Sequence, residues 1–97
     1  MPQNLARKSK YWVYIVQCKD GTYYTGSTND LDKRIERHNE GYGAKYLKGK
    51  LPVKLVYAKE YHYYKNVLRR ERDIKKMTRK QKEKLIANYK GNNRDSK

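Results

Sequence analysis

Phenylalanine is absent from these 97 residues, cysteine occurs once, and acidic residues are scarce: 10 Asp and Glu stand against 25 Lys and Arg, a net charge of +15 at pH 7. The single cysteine, Cys18, excludes an internal disulfide and any cysteine-based zinc site. At a strand end it reads as a small apolar filler. No apolar run approaches the roughly 20 residues that a bilayer-spanning helix requires, so no transmembrane segment is expected. Met1 to Lys10 holds basic residues without the apolar stretch of a secretory signal, and the expected compartment is the cytoplasm. There is no internal repeat. A chain this short buries only roughly 60 to 65% of its unfolded surface, enough for one modest core, so any active site must lie at the edge of that core. The deficit of acid is the most informative absence. It points to a polyanionic partner, most simply nucleic acid, with a merely basic soluble surface as the plain alternative.

What fills the aromatic positions is tyrosine, eleven of them, with Trp12 the one exception. Tyrosine pairs an apolar body with a hydroxyl, so a tyrosine-built core leaves polar tips at its rim where phosphates or bases can meet them.

Three segments are expected: a flexible basic N-terminus over 1–10, a single domain over 11–89 and a disordered tail over 90–97. Within the domain, Trp12 to Cys18 and Thr22 to Ser27 read as two strands around Lys19-Asp20-Gly21. A two-residue turn would put Tyr14 and Tyr24 on opposite faces. A three-residue loop with Gly21 left-handed instead pairs Cys18 with Thr22, Val16 with Tyr24 and Tyr14 with Gly26, making the two tyrosines diagonal neighbours, and this register is favoured. Ser27 to Asp30 offers several N-caps for a helix over Leu31 to Glu40, stopped by Gly41. Gly41 to Lys50 is a basic, glycine-bearing loop, and Val53 to Glu60 alternates as a third strand. Tyr63 to Met77 reads as a helix. Thr78 to Gln81 is a capping-box pattern opening another, which runs to about Asn88. The order β-β-α-β-α-α predicts an α+β fold, a small, mostly antiparallel three-stranded sheet flanked by helices.

Two helices carry residues that their surroundings must explain. At about 100° per residue, Ile35, His38 and Arg34 all fall within about 60° of Leu31, so Arg34 and His38 border the inward side. An always-charged guanidinium there needs an anionic partner, whereas His38 is either a satisfied half-buried histidine or a group at phosphate. On the next helix Glu71 falls among Tyr64, Leu68, Val67 and Ile74, while Asp73 faces away. A carboxylate on an apolar stripe costs several kcal/mol unless it is satisfied. Three arrangements would do so: an ion pair with Arg34, a position at the stripe's edge that reaches solvent, or a hard divalent cation, for which one glutamate suffices. From Lys65 to Lys84 ten basic residues face three acidic ones, a run that is either a solvated face or a phosphate-tracking surface.

Together these residues resemble the GIY-YIG nuclease family. The first signature is Trp12-Val13-Tyr14, lacking the usual glycine and isoleucine; the second is Tyr24-Thr25-Gly26, with threonine for isoleucine. Arg34, His38 and Glu71 follow in order, and the likeness spans about Tyr11 to Ile86. Gly43-Ala44-Lys45 is similar to a loop of the small stand-alone bacterial members. The resemblance implies hydrolysis of DNA phosphodiesters with one divalent metal; Mg2+ or Mn2+ is the expected ion, and repair or recombination of branched or damaged DNA the expected setting. It implies that Tyr24 helps activate water with Tyr14 beside it, that Arg34 stabilises phosphate charge, that His38 assists in positioning or proton transfer, and that Glu71 holds the metal. Lys45, Lys48, Arg69 and Arg72 are the expected nucleic-acid contacts. Asn88, near a helix end, is left out of the site. A non-catalytic nucleic-acid adaptor on the same scaffold is the alternative, and a subunit that needs a protein partner is a third reading.

Overall fold

A computed structural model of the chain describes residues 10–95, with side chains described over 10–89. The expected flexible N-terminus lies, up to residue 9, outside the described residues. Three strands, β1 (Tyr11–Gln17), β2 (Tyr23–Thr28) and β3 (Lys54–Tyr61), form one antiparallel sheet in the order β2-β1-β3. The helices are α1 (Leu31–Asn39), α2 (Tyr64–Lys75) and α3 (Arg79–Asp95), with a 3-10 turn at Lys45–Leu47 inside the glycine-bearing loop. This is the α+β arrangement that the element order implies.

Strand β1 is central, and Val13 through Val16 are buried without interruption. Its two faces carry separate cores. Val13 and Ile15 pack with Val56, Tyr57, Val67, Ile74 and Ile86 under α2 and α3. Tyr14, Val16 and Cys18 pack with Leu47 and Val53, flanked by Leu31 and Ile35 of α1. The β1–β2 loop takes the three-residue form: Cys18 N–H donates to Thr22 O (2.8 Å), and Gly21 sits at φ +90°. Tyr14 then pairs with Gly26 and Val16 with Tyr24.

Strand β3 departs from strict alternation. Ile15 faces Tyr57 but Val16 faces Leu55, so Val56 is an extra residue, a bulge. Val56 and Tyr57 consequently both join the α2–α3 core, while Leu55 and Ala58 pack on the α1 side.

Asp30 emerges as the α1 cap, its Oδ1 accepting from Lys33 N–H. Asn39, in the last turn, clamps the start of β3. Its Oδ1 accepts from Val53 N–H (2.7 Å) and its Nδ2 donates to Val53 O (3.1 Å), which fixes α1 against the sheet. The capping box at Thr78 is formed as expected, with Thr78 N–H donating to Gln81 and Gln81 N–H to Thr78 Oγ1. Helix α3 continues past the expected end near Asn88 to Asp95, through the stretch assigned to a disordered tail. Extending an existing helix costs far less than nucleating one, so Gly91 does not stop it. Residues 96–97 lie outside the described residues.

Candidate active site

Tyr14 points from the central strand toward α1 and is fully buried. Its hydroxyl lies over Gly26 of the edge strand β2, where an added Cβ would stand 2.6 Å from the phenol oxygen. The glycine of the second signature is therefore a space requirement: it lets the phenol of an inner strand reach the sheet edge. There the hydroxyl meets His38 Nε2 at 2.7 Å in a buried hydrogen bond. His38, which the wheel placed at the inner border of α1, is 1% exposed. Tyr24 closes the group, its ring edge-on to His38 (5.7 Å) and tilted to Tyr14 (6.5 Å), itself half-buried.

The electrostatics follow from this burial. Desolvation pushes the Tyr14 phenol up to about 12, with Arg34 acting downward while the Tyr24 phenol and the Glu71 carboxylate act upward. Burial and then the Arg34 charge hold His38 below its ordinary 6.5. At neutral pH the pair is thus a protonated phenol against a neutral imidazole, and the phenol can donate to Nε2. His38 Nδ1 is then the protonated nitrogen, buried against Gly43 without a partner. The half-buried Arg34 has an equally unmet donor: its Nε is buried and unpaired. The guanidinium lies close enough to Tyr14 and His38 to act on both, and its fixed positive charge suits an incoming phosphate oxygen.

The pH dependence of stability has a definite sign. Unfolded Tyr14 loses its proton near 10 and the folded residue only near 12, so its contribution is complete below pH 10 and lost as pH rises to about 12. Tyr61, raised by burial, acts in the same direction. Chemical denaturation across pH 9 to 12 should show wild-type stability falling more steeply than that of Tyr14→Phe; equal slopes would contradict the assignment. For His38, whose folded value is depressed, the contribution is complete above about 6.5 and is lost as pH falls below it.

Glu71 arrives from the other face. Ser27 is opposite Val13 and so faces α2, and its Oγ donates to Glu71 Oε1 at 2.8 Å. Lys75, one turn on, places Nζ 3.0 Å from Oε2. Of the three arrangements open to Glu71, the ion pair with Arg34 is not the one used: among the described residues its ion pair is with Lys75. Nor does Glu71 sit amid a buried stripe. Only Val67 and Ile74 are buried, Tyr64 and Leu68 are 52% and 43% exposed, and the Glu71 side chain keeps 19% of its surface. The carboxylate is held at the rim, near enough to Tyr14 to raise its pKa. The two halves of the site therefore approach the edge of β2 from opposite faces of the sheet.

That geometry fits a hydrated hard cation. Glu71 offers hard oxygen at a half-open position beside the Ser27 hydroxyl, and the Lys75 ammonium already occupies a cation's place on Oε2. Among the described residues no three His, Cys, Asp or Glu side chains cluster, so these residues provide no cage of several carboxylates. No helix among the described residues is long and apolar enough to cross a membrane.

Lys45 and Lys48 are exposed and line one hollow with His38, and Arg69 and Arg72 are exposed on α2. Asn88 lines a separate hollow with Tyr57, Tyr61 and Arg70. Sequence reading missed Ser27, Gly43 and Tyr46, the last stacked on Tyr24 (5.9 Å, 23°). Ser27 had left a signal in the hairpin register, which already placed it on the Val13 face, and Gly43 in the Gly43-Ala44-Lys45 loop, but neither was assigned to the site.

A family model described as the GIY-YIG catalytic domain matches residues 10–84. A UPF0213 protein of Staphylococcus saprophyticus is 49% identical over 78 residues, covering 80% of this chain and 95% of its own. Another from Clostridium perfringens is 53% identical over 76 residues, covering 78% and 82%. The solution NMR structure of a UPF0213 protein from Bacillus halodurans matches with a TM-score of 0.54 at 41% identity, covering 80% of this chain and 83% of that one. A protein from E. faecalis, also solved by NMR, matches at 0.59 with 31% identity, covering 87% and 90%.

Proposed function

The chain belongs to the GIY-YIG family, and from that premise we propose that it is a divalent-metal-dependent endonuclease hydrolysing DNA phosphodiester bonds. The observation that carries the reading is the buried Tyr14–His38 hydrogen bond at the β2 edge, with Tyr24 and Arg34 beside it and Glu71 reaching the same edge. A fold stabilised only by packing has no use for a phenol–imidazole pair next to an unpaired guanidinium nitrogen.

In this reading each side chain has one task. Arg34 receives a non-bridging phosphate oxygen on its always-charged guanidinium and offsets the charge that develops there. Tyr24, half-buried, is the hydroxyl that meets the attacking water. Tyr14 and His38 stand behind it, one protonated and one neutral, as a buried pair able to hold or relay a proton. Glu71, with the Ser27 hydroxyl beside it, would hold the divalent ion, Mg2+ or Mn2+, which would supply positive charge for the leaving oxygen. Lys45, Lys48, Arg69 and Arg72 track the backbone. Repair or recombination of branched or damaged DNA is the process that such an activity would serve.

The test is cleavage of labelled single-stranded, nicked and branched DNAs with Mg2+, with Mn2+ and with EDTA. Products with either metal and none with EDTA are expected. Salt-dependent binding with no product under any condition would instead make the chain a nucleic-acid adaptor.

A further inference from the structure

The loop between α1 and β3 is more elaborate than a connection requires. Its ten residues, 41–50, carry two tyrosines and three lysines. Tyr42 is 69% exposed and Tyr46 49%, the most exposed pair of large aromatics on the α1 side of the sheet. Tyr46 stacks on Tyr24, the aromatic at the mouth of the site. The Lys50 ammonium lies 4.9 Å over the Tyr46 ring and pairs with Asp20, an exposed contact that costs little to break. Lys45 and Lys48 are three apart across a 3-10 turn, a spacing that brings side chains into line, and both line the same hollow of about 540 Å³. Aromatic rings interleaved with lysines on a loop are the components of a single-strand binding surface.

We propose that Tyr46 is a base-stacking platform for an unpaired deoxynucleotide next to the scissile phosphate, with Lys45 and Lys48 on the adjoining backbone. The ring continues the Tyr24 stack outward, so a base laid on it keeps its own phosphate close to Tyr24. A base inside a duplex already has both faces covered by its neighbours and has none to offer. The loop therefore favours DNA that is single-stranded at the cut. Position at the scissile phosphate rests on the nuclease reading above; the stacking itself does not.

The test separates the two. A single-stranded oligodeoxynucleotide carrying 2-aminopurine is titrated in EDTA, so that no cleavage enters, against wild type, Tyr46→Phe and Tyr46→Ala. Emission should be quenched by wild type and Tyr46→Phe. Tyr46→Ala should lose the quenching and bind the single strand at least about tenfold more weakly, with duplex affinity unchanged. Tyr46→Trp keeps a ring in place and reports independently: its indole emission, after subtraction of the Trp12 background, should fall with single strand and not with duplex. Equal losses on both DNAs, or an indole indifferent to single strand, would overturn the proposal whether or not the protein cuts.

Discussion

Glu71→Gln should abolish at least about 99% of cleavage while leaving fold and DNA affinity in place. Glutamine is nearly isosteric, and its carbonyl can still accept from Ser27 Oγ, the contact that fixes the side chain at the β2 edge. The Lys75 pair is lost, but an i, i+4 pair of this exposure is worth about 0.3 to 0.5 kcal/mol. What disappears is the negative charge that Glu71 brings to this edge. In the proposed metal-dependent reaction several kcal/mol of transition-state stabilisation would depend on the bound ion, and about 1.4 kcal/mol is a factor of ten. DNA binding should be unchanged or slightly tighter, because a negative charge near the phosphate is gone. Single-turnover rates and binding isotherms on one substrate measure both quantities, and undiminished cleavage would remove Glu71 from the chemistry.

Gly43→Ala should be the most damaging single methyl in the molecule. The added carbon would overlap His38 Nδ1 and crowd the rest of the ring. The ring has nowhere to retreat: it is 1% exposed, bonded to Tyr14 and edge-on to Tyr24. Either the imidazole turns and breaks the Tyr14 bond, or the loop lifts from α1. Overpacking of this kind costs about 1 to 3 kcal/mol, and either response dismantles the phenol–imidazole pair, so activity should fall with stability. A double-mutant cycle isolates the cause. In a His38→Ala background the space exists, and the cost of Gly43→Ala should shrink by more than 1 kcal/mol or so. Strictly additive costs would show that the clash is relieved elsewhere.

The parts of this fold legible in the sequence were those set by local geometry. Gly21 supplied the left-handed residue of a three-residue loop, and that loop determines which residues of β1 and β2 share a face. The helical period alone placed Arg34 and His38 at the inner border of α1, where the structure has them. The errors came from what lies across from an element. A wheel orders Tyr64, Leu68 and Glu71 along one stripe but does not say how far the covering sheet extends, and here cover stops at Val67 and Ile74. The bulge at Val56 has no compositional mark, since one inserted apolar residue among apolar neighbours looks like alternation. Tyr46 on Tyr24, Gly43 against His38 and Lys75 in place of Arg34 are choices among partners, made by the packed chain.

The placement of the site on the outermost strand has a topological consequence. Tyr14 reaches that margin over Gly26 and Glu71 reaches it beside Ser27, so the candidate groups lie at an edge beyond which the described residues pair no further strand. A polymer can be laid against such a rim sideways, at any point along its length, without passing an end through the protein. For the proposed chemistry, a closed circle is as accessible as a linear strand, and a free terminus gives no advantage.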